Sequence, residues 1–225
     1  MQTFVRLSTL KILNGPMPNA LSWAGVVLLG AFSLRICLFL AAQPWNTDTF
    51  TEHVTYSDSG SYLDMTAGFL RGEIFDSMNL HRTPGYPAFI ATIFLLTGNS
   101  IIALILMQII LDTATVFFVM RTASMISKSS LVVNFSGVVY GLSIFAAAAC
   151  GKILTESLFT FLFTLVIFFA VKTCTNPRNF NVLVLGLLLG LSALVRPISL
   201  YYVAVLGLVL LLFVNGSIGK KTRCL

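Results

Sequence analysis

The chain has 225 residues, of which 57% are hydrophobic and only 10% are charged. Several apolar runs are about as long as the roughly 30 Å hydrocarbon core of a bilayer requires, which excludes a soluble globular protein and predicts an all-α polytopic membrane protein. The net charge of +6 therefore indicates membrane topology rather than nucleic-acid binding.

The four cysteines are scattered and form no CxxC pair, so they predict neither a zinc site nor a disulfide framework. The sequence contains no Walker loop, dinucleotide-binding fingerprint, HExxH or GxSxG motif. We expect no cofactor and no protein-built metal centre, although the sequence alone leaves a role for a divalent metal open.

Residues 1–18 carry two basic side chains and indicate a cytoplasmic leader. The first predicted span runs from about Asn19 to Ala42 and carries Arg35 in its outer half. A charge at the centre of a bilayer costs about 2.5–3.5 kcal/mol on insertion scales. Arg35 either snorkels outward or pairs inside the bundle, and we expect it to snorkel.

A polar loop over residues 43–97 follows this span. It contains six of the eight acidic residues and both histidines, His53 and His81. A membrane protein that gathers its titratable groups into one loop is expected to have its chemistry there. The alternative is that any long loop outside the bilayer is polar.

Within the loop, Asp58 or Ser59 is placed to N-cap a helix that ends at Gly72. The side chains that would share one face of this helix are mostly apolar: Tyr62, Met65, Thr66, Phe69 and Leu70. This pattern predicts a short amphipathic helix on the membrane surface.

The segment Pro84–Leu96 is apolar, but a helix of this length falls short of the hydrocarbon thickness. A Gly-Asn-Ser break follows it. Further spans are predicted at about 101–121, 131–150, 155–171, 180–195 and 198–214.

The basic residues distinguish two topologies. If Pro84–Leu96 does not cross, nine of the fourteen basic residues face the cytoplasm: Arg6, Lys11, Arg121, Lys128, Lys172, Arg178, Lys220, Lys221 and Arg223. If it crosses, most of them move outside. The positive-inside rule favours the first topology. We therefore predict about six spans, both termini in the cytoplasm, and Pro84–Leu96 as a re-entrant or interfacial helix.

This topology places four polar side chains on the outer face: Asp58, Arg82, Glu156 and Arg196. A carboxylate serves as a general base, worth about 10²- to 10⁴-fold in rate, and arginine binds phosphate bidentately. The set suits a lipid-phosphate substrate. Each residue also has a simpler interpretation: Asp58 as a helix cap, Glu156 as a carboxylate favoured by a helix dipole, and the arginines as anchors to lipid headgroups.

The order of motifs is DSGSYLDMTAGFLRGE, HRTPGYPAF, LMQIILDTATVFF, LTESLF and GLLLGLSALVRP. In this order the chain resembles, over about residues 19–215, the N-terminal module of GT-C type glycosyltransferases that use polyprenyl-phosphate sugars. Protein O-mannosyltransferases and lipid A aminoarabinose transferases belong to that group. The resemblance implies a GT-C-like bundle and an inverting transfer of a sugar to a lipid, glycan or protein acceptor on the outer or lumenal face.

The resemblance also implies roles for individual residues. Asp58 corresponds to the catalytic acidic residue, Arg82 to a donor-phosphate ligand, and Glu156 to a residue lining the site. Arg196 stands in the Arg-Pro pair and is expected to bind the donor phosphate as well. Tyr62 and His81 are expected to support the site.

Two features depart from the family pattern. Ser59 follows Asp58 where many relatives have a second acidic residue, and the chain is about half the usual length. We expect one module over residues 1–225 that lacks a C-terminal half, and a partner subunit that supplies the missing helices is possible. The alternatives are a non-catalytic membrane subunit and a small-solute transporter.

Overall fold

The computed structural model describes residues 23–46, 54–55, 58–73 and 82–208, and all regular secondary structure in these ranges is helical. The helices are α1 (Ala24–Ala42), α2 (Ser59–Leu70), α3 (Gly85–Thr97), α4 (Ile101–Ile126), α5 (Ser130–Gly141), α6 (Ile144–Ala149), α7 (Glu156–Thr175), α8 (Asn179–Val195) and α9 (Ser199–Leu208). By length and composition α1, α4 and α7 are able to cross a membrane, and α3, α5, α8 and α9 are shorter apolar helices. The chain is an all-α membrane protein, as predicted.

Helix α4 is the centre of the bundle, since it packs against α1, α3, α5 and α7, and α7 in turn packs against α8. The largest buried apolar cluster joins α3 to the first half of α4 and includes Ile90, Leu104 and Ile109. A second cluster joins the first turns of α1 to the second half of α4 through Ala24, Val116 and neighbouring residues. The bundle is therefore tied together at both ends of α4.

The predicted span 131–150 is two helices rather than one. Helix α5 ends at Gly141 and α6 begins at Ile144, with the Ser143 hydroxyl accepting a hydrogen bond from the backbone N–H of Ala146. An N-cap of this kind satisfies a backbone donor that the break would otherwise leave without a partner. A Cβ on Gly141 would lie 3.2 Å from the Cβ of Ala31, so the break occurs where α5 lies close against α1.

Arg35 does not snorkel, and that prediction is wrong. Its side chain is fully buried, and Nε donates to Asp112 Oδ2 at 2.5 Å. Nη1 donates to the carbonyls of Ala31 and Gly141, each at 2.8 Å, and the Tyr140 hydroxyl donates to Asp112 Oδ1 at 2.6 Å. The helix break frees the Gly141 carbonyl, so the bundle interior offers Arg35 a carboxylate and two carbonyls, and pairing there replaces the hydration that snorkelling would provide.

Helix α2 forms where the sequence predicts it, but it packs against protein. Tyr62, Met65 and Thr66 are buried, and the face they share lies against α3. Asp58 occupies the predicted N-cap position, but its side chain makes no capping hydrogen bond and its Oδ1 accepts from Arg82 instead. The helix ends before Gly72, whose positive φ of 81° suits a glycine at the end of a helix.

The start of α3 is fixed against the end of α8. A Cβ on Gly85 would lie 2.6 Å from the backbone carbon and oxygen of Leu194, so only glycine fits at this contact. The Thr83 hydroxyl donates to the carbonyl of Val195 at 2.7 Å. The segment that carries Arg82 is therefore held beside the residue that precedes Arg196.

The first turn of α3 lies beside the first half of α4. Tyr86, in the first turn of α3, donates its hydroxyl proton to Gln108 Oε1 at 2.7 Å. Gln108 lies only about 10 Å along the axis from the start of α4. Gly98 and Asn99 reverse the chain between the two helices with positive φ values of 68° and 65°. This arrangement suits a helix that does not cross, while the re-entrant placement of α3 stays a prediction.

Candidate functional site

The predicted base and one predicted phosphate ligand form an ion pair. Arg82 Nη2 donates to Asp58 Oδ1 at 2.5 Å, and the guanidinium carbon lies 5.5 Å from the centre of the Tyr62 ring. The side chains of Arg82 and Asp58 are 29% and 40% exposed. Arg82 is thus held by a carboxylate and an aromatic face while part of its surface remains open.

A second pair has the same construction. Arg196 Nη2 donates to Glu156 Oε1 at 2.5 Å, and Nε donates to the Thr155 hydroxyl at 2.7 Å. The guanidinium carbon lies 5.6 Å from the centre of the Phe159 ring. Arg196 and Glu156 are 40% and 39% exposed. In both pairs the carboxylate stands at the start of a helix, where the helix dipole favours negative charge.

Three hydrogen bonds, made by residues close in sequence to the two ion pairs, bring both pairs to the same end of the bundle. Besides the Thr83–Val195 bond, the Ser59 hydroxyl donates to the carbonyl of Ile153 at 2.9 Å. The backbone N–H of Ile153 donates to the carbonyl of Val54 at 3.0 Å. The loop before α2 is thereby joined to the loop before α7. The structure brings together all four charged residues that the sequence predicted.

A buried polar network lies beside the two pairs. The rings of Tyr62 and Tyr86 meet edge to face with their centres 5.1 Å apart. Gln108, which accepts from Tyr86, donates from Nε2 to the carbonyls of Cys150 and Lys152, each at 2.9 Å. One amide therefore holds α3, α4 and the loop before α7 in a fixed relation.

Tyr86 and Gln108 are not among the site residues predicted from the sequence. The sequence feature that could have indicated Gln108 is its amide within an apolar helix, because a polar group there needs a hydrogen-bond partner. Burial, and next the nearby Glu156 carboxylate, raise the pKa of Tyr86 well above its usual value of 10. The phenol is therefore neutral at ordinary pH and acts as a hydrogen-bond donor.

A family model for dolichyl-phosphate-mannose-protein mannosyltransferases matches residues 81–223, which is more than half of the chain. The chain belongs to this family. Members of the mannosyltransferase family are membrane glycosyltransferases that take a sugar from a polyprenyl-phosphate carrier. No curated protein and no solved structure matches the chain.

The matched range of the mannosyltransferase family contains Arg82, Glu156 and Arg196, whereas Asp58 and Tyr62 precede it. His81 lies outside the described residues. Among the residues that the structure describes, no group of three or more His, Cys, Asp or Glu side chains is placed to hold a metal ion. At this site the described residues include two guanidinium groups and two carboxylates.

The two arginines retain hydrogen-bonding capacity for a ligand. A guanidinium carries five N–H donors. In the described part of the chain Arg82 uses only Nη2, and Arg196 uses Nε and Nη2. Both therefore have N–H groups left to donate to phosphate oxygens in the charge-assisted geometry that arginine favours.

Proposed function

We propose that this chain transfers a sugar from a polyprenyl-phosphate donor to a lipid, glycan or protein acceptor, with inversion at the sugar carbon. The observation that supports this most directly is the convergence of two half-exposed carboxylate–arginine pairs at one end of an apolar bundle. The proposal includes the topology that the distribution of basic residues favours: that end on the outer or lumenal face, in a multi-pass chain with both termini in the cytoplasm.

Arg82 and Arg196 would bind the phosphate of the donor. As the sugar–phosphate bond breaks, negative charge grows on the departing lipid phosphate, and fixed guanidinium groups stabilise it without reorganising. Their carboxylate partners and the aromatic rings of Tyr62 and Phe159 hold the two guanidinium groups in place before the donor arrives. Tyr62 thus supports Arg82, as Glu156 supports Arg196.

Asp58 would take the proton from the acceptor hydroxyl. Arg82 occupies its Oδ1, which leaves Oδ2 of the same half-exposed carboxylate to accept the proton. Glu156 is the rival base, but its Oε2 is buried and has no hydrogen-bond partner among the described residues. An acceptor hydroxyl reaches a half-exposed oxygen more easily than a buried one, and this difference favours Asp58.

The reaction is a direct displacement. The acceptor oxygen attacks the sugar carbon from the face opposite the phosphate, its proton passes to Asp58, and the bond to the lipid phosphate breaks with its electron pair. The apolar lipid tail would lie against the bundle. His81 stays a predicted supporting residue of this site.

The decisive experiment replaces Asp58 with asparagine. Asp58→Asn keeps the shape of the side chain and a hydrogen-bond acceptor for Arg82, but removes the base. We expect sugar transfer from dolichyl-phosphate-mannose in reconstituted membranes to fall at least about 10²-fold, with donor binding and thermal stability little changed. Asp64→Asn, an exposed position on the same helix, is the matched control and should keep full activity.

Full activity in Asp58→Asn would remove Asp58 from the site and make Glu156 the carboxylate to test. If the wild-type chain instead binds the donor but transfers no sugar, with or without added membranes, that result would support the alternative that the chain is a non-catalytic subunit.

A second experiment tests the phosphate ligands. Arg82→Ala and Arg196→Ala should each weaken donor binding by about 10- to 150-fold, as expected for the loss of a charge-assisted hydrogen bond worth about 1.5–3 kcal/mol. Lysine at either position should restore binding only in part, because an ammonium lacks the bidentate fork. Arg71→Ala is the control, since Arg71 pairs with Glu73 on the surface, and it should bind the donor normally. Wild-type affinity in both test variants would exclude the phosphate role.

A further inference from the structure

The amide of Gln108 is fully buried in an otherwise apolar stretch of α4. Burying an amide is costly unless it is hydrogen-bonded, so the partners of this amide indicate its role. Nε2 carries two N–H donors, and it donates to the carbonyls of Cys150 and Lys152 in one loop, each at 2.9 Å. The Tyr86 hydroxyl donates to Oε1 at 2.7 Å and so orients Nε2 towards that loop.

The loop that Gln108 binds leads to the two side chains that hold Arg196. Residues 151–155 form a turn and bends between α6 and α7, so hydrogen bonds from other elements are needed to fix their backbone. At the end of this loop the Thr155 hydroxyl accepts from Arg196 Nε at 2.7 Å. The next residue, Glu156, accepts from Arg196 Nη2 at 2.5 Å. Both anchors of the guanidinium therefore follow directly after the carbonyls that Gln108 binds.

We propose that Gln108 is a positioning residue for Arg196. By fixing the loop before α7, the amide would keep Thr155 and Glu156 where they hold the guanidinium ready for the donor phosphate. Gln108 is fully buried and acts only through these contacts. This inference rests on the proposed function, in which Arg196 binds that phosphate.

The position of the Arg196 guanidinium matters more for transfer than for donor binding. Negative charge grows on the departing phosphate, and a fixed guanidinium stabilises it only if it already stands in the right place. A misplacement of about 1 Å costs about 10²-fold in rate. Loss of the Gln108 amide should therefore lower kcat/KM for transfer by more than it lowers donor affinity.

The test is a double-mutant cycle on Gln108 and Arg196, using Gln108→Met, Arg196→Ala and the double variant. Gln108→Met removes the amide and keeps an unbranched side chain of similar length. Donor affinity and kcat/KM for transfer from dolichyl-phosphate-mannose are measured on the purified full chain in reconstituted membranes. Each variant is also melted, and both quantities are expressed per folded chain.

Asn181→Leu is the matched control. Asn181 is another buried amide, and its Nδ2 donates to the carbonyl of Asn176 at 2.9 Å. Asn176 directly follows the last residue of α7, whereas Thr155 directly precedes the first. The 20 residues of α7 separate the two positions by about 30 Å, so this change removes the same kind of bond far from Arg196.

We expect Gln108→Met to lower kcat/KM about 10- to 100-fold and donor affinity about 3- to 10-fold. Asn181→Leu should stay within about twofold of the wild type in both. In the Arg196→Ala background, Gln108→Met should cost no more than about threefold further in kcat/KM, because the group that it positions is gone. If Gln108→Met does not fold, Gln108→Asn, which keeps an amide but is one methylene shorter, takes its place in the cycle.

Three results would overturn the inference. They are unchanged kinetics and donor affinity in the Gln108 variant, an equal loss in Asn181→Leu, and a loss that adds in full to that of Arg196→Ala. The last two are what a merely structural role predicts. If the wild type binds the donor but transfers no sugar, the same cycle on donor affinity decides. Wild-type affinity in Arg196→Ala alone would refute the phosphate role itself, and the inference with it.

Discussion

The buried pair between Arg35 and Asp112 allows a sharp test of how the bundle is held together. The pair joins α1 to α4, and its side chains are 0% and 2% exposed. We predict that Asp112→Leu and Arg35→Met each destabilise the fold by about 3–5 kcal/mol, because each leaves one buried charge without its partner. The double variant removes both charges and should lie within about 2 kcal/mol of the wild type.

The magnitude follows from the contacts that each variant leaves behind. After Asp112→Leu, Arg35 keeps only the carbonyls of Ala31 and Gly141, which carry no opposite charge. After Arg35→Met, Asp112 keeps only the hydroxyl of Tyr140. Independent effects would sum to about 6–10 kcal/mol, so the expected coupling between the two positions is several kcal/mol.

The measurement is reversible unfolding of the purified chain in mixed micelles of mild and denaturing detergent, for the wild type, both single variants and the double variant. Arg71→Ala serves as the reference for a surface pair, because Arg71 and Glu73 are 60% and 50% exposed, and it should cost about 0–1 kcal/mol. Additive losses in the double variant, or single losses no larger than that of Arg71→Ala, would refute the reasoning.

Two further predictions concern other contacts, and a third concerns the predicted topology. Gly85→Ala should cost about 1–3 kcal/mol in unfolding free energy and reduce donor binding, because the added methyl group meets the backbone of α8. Gly60→Ala is the control: the added methyl group has open space, so the variant should be neutral or stabilising by up to about 1 kcal/mol. Tyr86→Phe should cost about 1–3 kcal/mol, because the buried amide oxygen that accepts from its hydroxyl is left unpaired, and thermal melting checks this. In a cysteine-free background, cysteine at Asp64 should react with an impermeant reagent from outside intact cells, and cysteine at Lys128 should not; reaction of both from outside contradicts the predicted topology.

The positions of the helices could be predicted because the apolar runs are long and are separated by polar breaks. The helices α1, α4, α7 and α8 lie within or close to their predicted spans. The break between α5 and α6 could not be predicted, because residues 141–143 look like an ordinary stretch of a span. Its basis is tertiary: Gly141 lies close to α1, and its carbonyl accepts a hydrogen bond from Arg35 Nη1.

The meeting of the four site residues could be predicted from topology. Three of them, Asp58, Glu156 and Arg196, stand next to a helix end, and the predicted topology puts these ends on one side of the membrane. Their pairing was not predicted, because it depends on which helices are neighbours. The partner of Arg35 was missed for the same reason: Asp112 lies 77 residues away in sequence.

The arginine–carboxylate pairs of Arg35, Arg82 and Arg196 differ in burial, and this difference bears on their roles. The Arg35–Asp112 pair is fully buried, so exchanging either partner would expose a charge to an apolar interior. The pairs of Arg82 and Arg196 are about one third exposed, and pairs of this kind contribute only about 0–1 kcal/mol to stability. A charge-assisted hydrogen bond to a phosphate is worth about 1.5–3 kcal/mol. A donor phosphate would therefore bind the arginine beside its carboxylate partner, or in place of it, without unfolding the bundle. On the proposed function, a phosphate bound through the remaining N–H groups of Arg82 would lie next to Asp58, whose Oδ2 receives the proton, so the donor and the base would meet at one guanidinium.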